Sequence, residues 1–265
     1  MNDNALILND ITVRHITFDE QTDSYEGDFC HDRFEIVYHA SNCGYCAVEG
    51  RQYTLNQGSL ILINPFAYHR VWREGSEEAS FWSVQFTKSA LPDNVREMLD
   101  TIVGDDDNSG RFYSNVALSS LDGIFSRFAL AADMPVEQKR VYSCALMSEL
   151  VILLSLAGGD SISHTGQCLG ARVVSYLNKN IERNISLDKL AKRFFVSKYH
   201  LCRAFKEHSG ISVHSYINQK RIMYARQLIE SGSTAAGAAE KVGFGDYSAF
   251  YRAYVRVVGK SPTAN

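Results

Sequence analysis

The chain has 265 residues, more than one small domain needs and enough for two. With 45% hydrophobic residues, 22% charged residues and only 4 prolines, its composition excludes the disordered, collagen-like and fibrous classes. The net charge of −3 conceals a division: residues 1–170 carry 11 Lys/Arg against 24 Asp/Glu, and residues 171–265 carry 16 against 6.

A basic segment beside an acidic one predicts a polyanionic partner, with double-stranded DNA foremost, although basic domains also bind acidic proteins. No apolar run reaches the ~18 residues of a bilayer span. The start, Met1-Asn2-Asp3-Asn4, lacks the basic region of a signal peptide. A cytoplasmic location with no membrane partner is expected.

From Ile11 to Phe86 the pattern is strand-like, with Phe34-Glu35-Ile36-Val37-Tyr38 and Ser59-Leu60-Ile61-Leu62-Ile63 as β-rich runs. Gly27, Gly44, Gly50, Gly58 and Gly75 punctuate them, as turns of an antiparallel sandwich or barrel do. From Pro92 the period becomes helical, with helices predicted over 91–103, 118–131 and 136–157, the last opened by Pro135. Asp105-Asp106-Asp107-Asn108-Ser109-Gly110 reads as a solvated loop. The polar, glycine-rich stretch 159–170 reads as a linker, and everything after it as helix. Cys43-Gly44-Tyr45-Cys46 is a CxxC with no second pair to complete a zinc site, so reduced structural thiols and no metal are expected.

The basic part repeats itself at an offset of 49: Leu201 meets Phe250, Arg203 meets Arg252, Ala204 meets Ala253, Phe205 meets Tyr254 and Gly210 meets Gly259. Each copy holds two helices. Leu187, Leu190, Ala191 and Phe194 form one helical face in the first, and Ala235, Ala238, Ala239 and Val242 have the same spacing in the second. A short turn follows, Phe195-Val196 or Gly243-Phe244-Gly245. Then comes a capping residue, Ser197 or Asp246, and a second helix ending at Gly210 or Gly259. This is a helix-turn-helix, twice, and the second helix of such a unit enters the major groove. The residues off the buried face and near the helix start are Ser197, Lys198, Tyr199, Cys202 and Arg203 in the first copy. Their counterparts are Asp246, Tyr247, Ser248, Tyr251 and Arg252. The two arginines suit bidentate contact with guanine. Lys206, Arg256 and Lys260 suit phosphates. A solvated helix face is the plain alternative for each lysine.

The ordered set Ile185-Ser186-Leu187-Asp188-Lys189-Leu190-Ala191, Ser197-Lys198-Tyr199-His200-Leu201-Cys202-Arg203-Ala204-Phe205-Lys206, Arg221 to Ala225, Val242-Gly243-Phe244 and Gly259-Lys260-Ser261-Pro262 resembles the AraC/XylS family of bacterial transcription regulators. Departures are Val255, where a lysine is common, and a chain that stops at Asn265, short of the usual final aromatic-arginine. His31-Asp32-Arg33-Phe34-Glu35-Ile36, Gly58 to Pro65 and His69 are similar to that family's sensing domain. The resemblance implies an α+β chain. Residues 1–90 would form a cupin-like β-barrel (jelly roll) that senses an effector, and 91–158 helices for dimerisation or docking. Residues 159–170 would be the linker, and 171–265 an all-α DNA-binding domain with two helix-turn-helix motifs joined by a long helix over 213–231.

Strand alternation puts Glu35, Val37 and His39 on one face and Phe34, Ile36 and Tyr38 on the other. Phe81, Ser83 and Gln85 share a face of the strand over 80–86. The resemblance favours Glu35 and His69 as ligand-binding residues with His31 at the mouth; Val37, Phe81 and Ser83 complete the expected pocket, and Arg14 and Trp82 are secondary candidates. The plain alternative is that Glu35 and His69 bond to each other or to backbone.

The expected function is a DNA-binding regulator, an activator, responsive to a small effector such as a sugar. It would act as a homodimer with RNA polymerase, without a cofactor or catalytic residues. Two alternatives stand beside it. One is control by a protein partner without a small ligand. The other is a metal-dependent cupin enzyme built on His31, Glu35 and His69 and fused to a DNA-binding domain.

Overall fold

The computed structural model describes residues 4–8, 10–18, 30–40, 44–73, 79–104, 108–114, 118–163, 168–183 and 185–263. Gly27, Asn42, Cys43, Gly75, Asp105–Asp107 and part of the expected linker, 164–167, lie outside the described residues. The chain forms two compact units: Met1–Phe29, Arg33–Val48 and Gln52–Ser163 make one, and Cys30–Asp32, Glu49–Arg51 and His164–Asn265 the other.

The first unit is α+β. Its strands are β1 (Asn4–Leu8), β2 (Ile11–Phe18), β3 (Phe34–His39), β4 (Gly44–Val48), β5 (Arg51–Leu55), β6 (Leu60–Ile63), β7 (His69–Arg73), β8 (Ala79–Phe86), β9 (Asn108–Tyr113) and β10 (Asp160–Ser163). Its helices are α1 (Asp93–Val103), α2 (Leu118–Leu130) and α3 (Val136–Ala157). One sheet runs β1-β2-β8-β3-β6-β9-β10 and a second runs β5-β4-β7. Among the described residues no ladder joins the two sheets, so the expected barrel is an open two-sheet sandwich instead. The cause is the pairing of β7, which takes β4 as its partner and leaves β6 to pair with β3 and β9.

Alternation along β3 builds two cores. Phe34, Ile36 and Tyr38 pack on the side of α1, α2 and α3, together with Leu60, Leu62, Phe125 and Leu150. Val37 faces the other way, among Cys46, Val48, Ile61, Ile63, Val71 and Phe81. Strand β6 is apolar throughout because it is covered on both faces. Tyr38 stacks on Phe125 at 4.7 Å and 6°. Each such fully buried side chain contributes roughly 1.5–3 kcal/mol.

Two strands replace expected irregular segments. Residues 108–113 form β9 within a stretch read as loop and helix, and 160–163 form β10 inside the expected linker; Asp160 pairs with Phe112. The acidic run before β9 leaves only Phe112 and Tyr113 to signal a strand, too few for a visible period. Helix α3 also corrects the reading of apolar runs. By length and a hydropathy of 1.6 it could cross a membrane. Here its Leu146, Met147, Leu150, Val151 and Leu154 are buried in the core.

The second unit is helical: α4 (Leu169–Asn180), α5 (Leu187–Arg193), α6 (Lys198–Ser209), α7 (Val213–Glu230), α8 (Ala235–Lys241) and α9 (Tyr247–Val258). Side chains cap most of these helices. Ser186, Ser197, Ser212, Thr234 and Asp246 each accept from the backbone N–H three residues on. Gly210 and Gly259 close α6 and α9 in the left-handed conformation. Phe205 meets Tyr216 edge to face at 5.4 Å, and Phe250 packs with Phe244 and Tyr254.

Candidate nucleic-acid interface and effector pocket

The two helix pairs are built by one device. In the first, the N–H of Val196 donates to the carbonyl of Ala191 and that of Phe195 to Lys192. In the second, Phe244 donates to Ala239 and Gly243 to Glu240. Both closures need a left-handed residue at the turn. Gly243 supplies it at φ 84°, whereas the first copy places Phe195 there at φ 56°. The second turn then spends one extra residue, Gly245, before its cap. The repeat offset is therefore 48 for α5 and α8 but 49 for α6 and α9.

Behind each turn, Leu201 and Phe205, or Phe250, Ala253 and Tyr254, are buried. The opposite faces are open. Ser197, Lys198, Tyr199, Arg203 and Lys206 are exposed on α6, and Cys202 is half-buried. Asp246, Tyr247, Ser248, Tyr251, Arg252 and Arg256 are exposed on α9. Tyr199 is 76% exposed although aromatic. Ser197 and Asp246 are occupied as caps, accepting from His200 at 3.1 Å and Ala249 at 2.8 Å. Lys198 pairs with Asp188 at 3.0 Å and Arg203 with Glu207 at 3.5 Å. Both pairs are exposed and cheap to exchange for phosphate or base.

Arg221, quoted above only as part of a family signature, is structural. Its guanidinium donates to the carbonyls of Ile181 at 3.0 Å, Gly243 at 2.9 Å and Arg183 at 2.5 Å. One buried side chain thus ties the end of α4 to the second turn. Sequence gives no sign of this, because all three acceptors are backbone.

In the sheet unit, Glu35, His69 and Ser83 come together, with Gln85 beside them. Glu35 accepts from Ser83 Oγ at 2.6 Å through Oε1, and from Gln85 Nε2 at 3.3 Å through Oε2. His69 Nε2 lies 3.0 Å from Oε2, and its Nδ1 lies 2.9 Å from the Ala67 carbonyl. Both ring nitrogens face acceptors. Glu35 and His69 are buried and bonded to each other, as the plain alternative has it. Val37 and Phe81 lie in the apolar core between the sheets. Arg14, opposite Ser83 in register, shares its face. Trp82 does not: it packs on the helix side, stacked on His15 at 4.3 Å. His31 is buried and is grouped with the helical unit. Cys46, of the CxxC, is buried as well. Burial first, and the charge of Glu35 second, push its thiol far up, so it stays protonated and inert.

Comparison with known proteins gives two family matches. Residues 11–117 match the AraC-like ligand binding domain, and 190–264 match a helix-turn-helix domain. The uncharacterized HTH-type transcriptional regulator YbfI of Bacillus subtilis is 25% identical over 226 residues, 82% of this chain and 78% of that protein. The XylDLEGF operon transcriptional activator of Pseudomonas putida is 24% identical over 247 residues, 86% of this chain and 74% of that protein. Among solved structures, ToxT from Vibrio cholerae is similar at 14% identity, with 96% of each chain covered and a TM-score of 0.41.

Proposed function

The chain belongs to the AraC/XylS family of transcriptional regulators, with a DNA-binding helix-turn-helix part and a ligand-binding part and no enzymatic role, and from that premise we propose that α6 and α9 read two successive major grooves of an operator. The observation that carries this is the paired geometry. Two equivalently capped helices each bury their apolar side and present an arginine, Arg203 or Arg252, at the same position beside exposed tyrosines. A bidentate arginine–guanine contact is worth ~1–3 kcal/mol. Arg203→Ala and Arg252→Ala are each expected to weaken operator binding by about 5- to 150-fold with an unchanged melting temperature. Binding should also fall steeply with salt, through counterion release. Both variants footprinting the operator as tightly as the parent would refute the assignment.

In this reading the protein is an activator that works with RNA polymerase in the cytoplasm, and it is a homodimer. Support for the dimer comes from α3, where Val141, Ala145, Ile152 and Leu156 form one exposed stripe. Leu156 is 78% exposed, although the opposite face of the same helix is core. Sedimentation velocity tests this directly, and a monomer at working concentration removes it.

The expected effector is a small molecule such as a sugar held near Glu35, His69 and Ser83, with His31, Val37 and Phe81. One observation favours the second reading, control by a protein partner: Val37 and Phe81 are wholly buried and Glu35 is already bonded. A melting screen with sugars separates the two. A ligand at 100 times its dissociation constant adds ~2.7 kcal/mol, and no shift across the panel removes the sugar.

A further inference from the structure

We propose that a second cleft of the sheet unit, between α1, β9 and the end of α3, binds a small organic carboxylate with an apolar body. The cleft has a volume of about 300 Å3, at the lower edge of small-molecule sites. Met98, Ile102 and Leu154 give it apolar walls, and Arg111, Tyr113 and Gly159 give it its polar side.

Two polar groups set the chemistry. Arg111 is held rigidly: its Nε donates to the carbonyl of Ile102, and its Nη1 donates to that of Gly159 at 2.8 Å. Among the described residues no carboxylate is bonded to it. Its charge is therefore fixed in direction and, among the described residues, unneutralised. Tyr113 is 3% exposed, and its Oη has no hydrogen-bond partner among the described residues. Such a group costs about 1–3 kcal/mol unless something answers it. Burial pushes its phenol up to about 12, against the pull of Arg111, so it remains a donor at neutral pH. A cation and a hydroxyl donor two residues apart on one face of β9 select an anionic acceptor. The apolar walls select the rest of the ligand.

The backbone is shaped for this. A Cβ on Gly159 would lie 2.6 Å from Tyr113 Cε1 and 2.7 Å from Cζ, so only glycine lets the phenol sit there. Gly159 directly precedes β10, which pairs with β9 next to Arg111. Along the chain, β10 is the last element of the sheet unit before the helical unit resumes.

The inference rests on the cleft alone and not on the DNA reading, and its test contains no DNA. Isothermal titration calorimetry on the full chain uses sodium benzoate and sodium octanoate, with benzamide as an uncharged control. At least one carboxylate is expected to bind at ~1 mM or tighter, and benzamide at least about tenfold more weakly. Tyr113→Phe removes only the unanswered hydroxyl; it should leave the melting temperature at or above the parent's and weaken binding about 10- to 100-fold. Ser155→Phe fills the cleft from its exposed rim, where the serine hydroxyl bonds only its own helix at Ile152, and should abolish binding. No heat from either carboxylate, or equal binding by parent and both cleft variants, overturns the proposal.

Discussion

Phe195→Gly is expected to stabilise the helical unit, although it deletes an aromatic side chain. The phenyl group is 95% exposed, so its removal forfeits almost no burial. What it relieves is the backbone: φ is 56°, in the left-handed region. An L-residue there pays roughly 1–2 kcal/mol. Glycine escapes that cost but loses more chain entropy on folding, roughly 0.5–1 kcal/mol. The difference lies between about 0 and 1.5 kcal/mol, a net gain of ~0.75 kcal/mol at its centre. For a unit of this size, a gain of that order raises the melting temperature by about 2–8 °C. The reciprocal change, Gly243→Ala, should destabilise. That position has φ 84°, and a Cβ there would lie 2.8 Å from the Glu182 carbonyl oxygen and 3.0 Å from Arg221 Nη2. Differential scanning calorimetry of the full chain reads both in the transition of the helical unit. If Phe195→Gly melts lower than the parent, the ring is packed or the turn is not left-handed, and the equivalence of the two turns fails.

Two further outcomes follow from particular contacts. Arg221→Met strips three backbone carbonyls of their donor at once, and it should cost roughly 3 kcal/mol or more; Lys in its place cannot fork to three acceptors and should rescue little. Melting of the helical unit and operator binding should be lost together, and an unshifted melt would show that water replaces the guanidinium without loss. His15, stacked on Trp82, has its imidazole pKa lowered by burial. The unfolded chain therefore takes up the proton first as the pH falls through 6.5, so the sheet unit should lose stability from about pH 7 downward until the folded ring protonates too. His15→Phe keeps a stacked ring without the titration, and it should melt with a smaller drop between pH 7 and 5 than the parent; equal drops would clear His15 of the effect.

The helical unit was the legible half, because its signals are local. Ser197 and Asp246 as caps, Gly210 and Gly259 as left-handed ends, and the core positions Leu201, Phe205, Phe250 and Tyr254 all follow from spacing along one twelve-residue helix and its two caps. The extra Gly245 is legible only in part: spacing gives both turns, but not that one offset governs α5 and α8 and another governs α6 and α9. In the sheet unit the parity of β3 was readable, since alternation alone puts Glu35 and Val37 on the face opposite Ile36. Its pairings were not. β9 and β10 are joined across about 50 residues of chain and carry few apolar side chains, so nothing local announces them. The openness of the sandwich likewise depends on which strand β7 chooses.

That difference bears on where a small molecule can act. Between the sheets, the charge of Glu35 is already met by Ser83, Gln85 and His69. A polyol entering there must break those bonds and remake each of them, and every bond left unmade costs about 1–3 kcal/mol, more for a charged group. In the cleft at Tyr113 the balance runs the other way. Among the described residues the phenol has no bond to give up, Arg111 is held in place by backbone, and an arriving carboxylate gains two donors without displacing any of them. A regulator needs an effector whose binding energy differs between two conformations. Gly158 and Gly159 lie beside the Arg111–Tyr113 pair and at the start of the exit strand. A shift of that backbone changes the donor geometry directly, and this makes the cleft, more than the saturated cluster between the sheets, the place where occupancy and conformation are coupled.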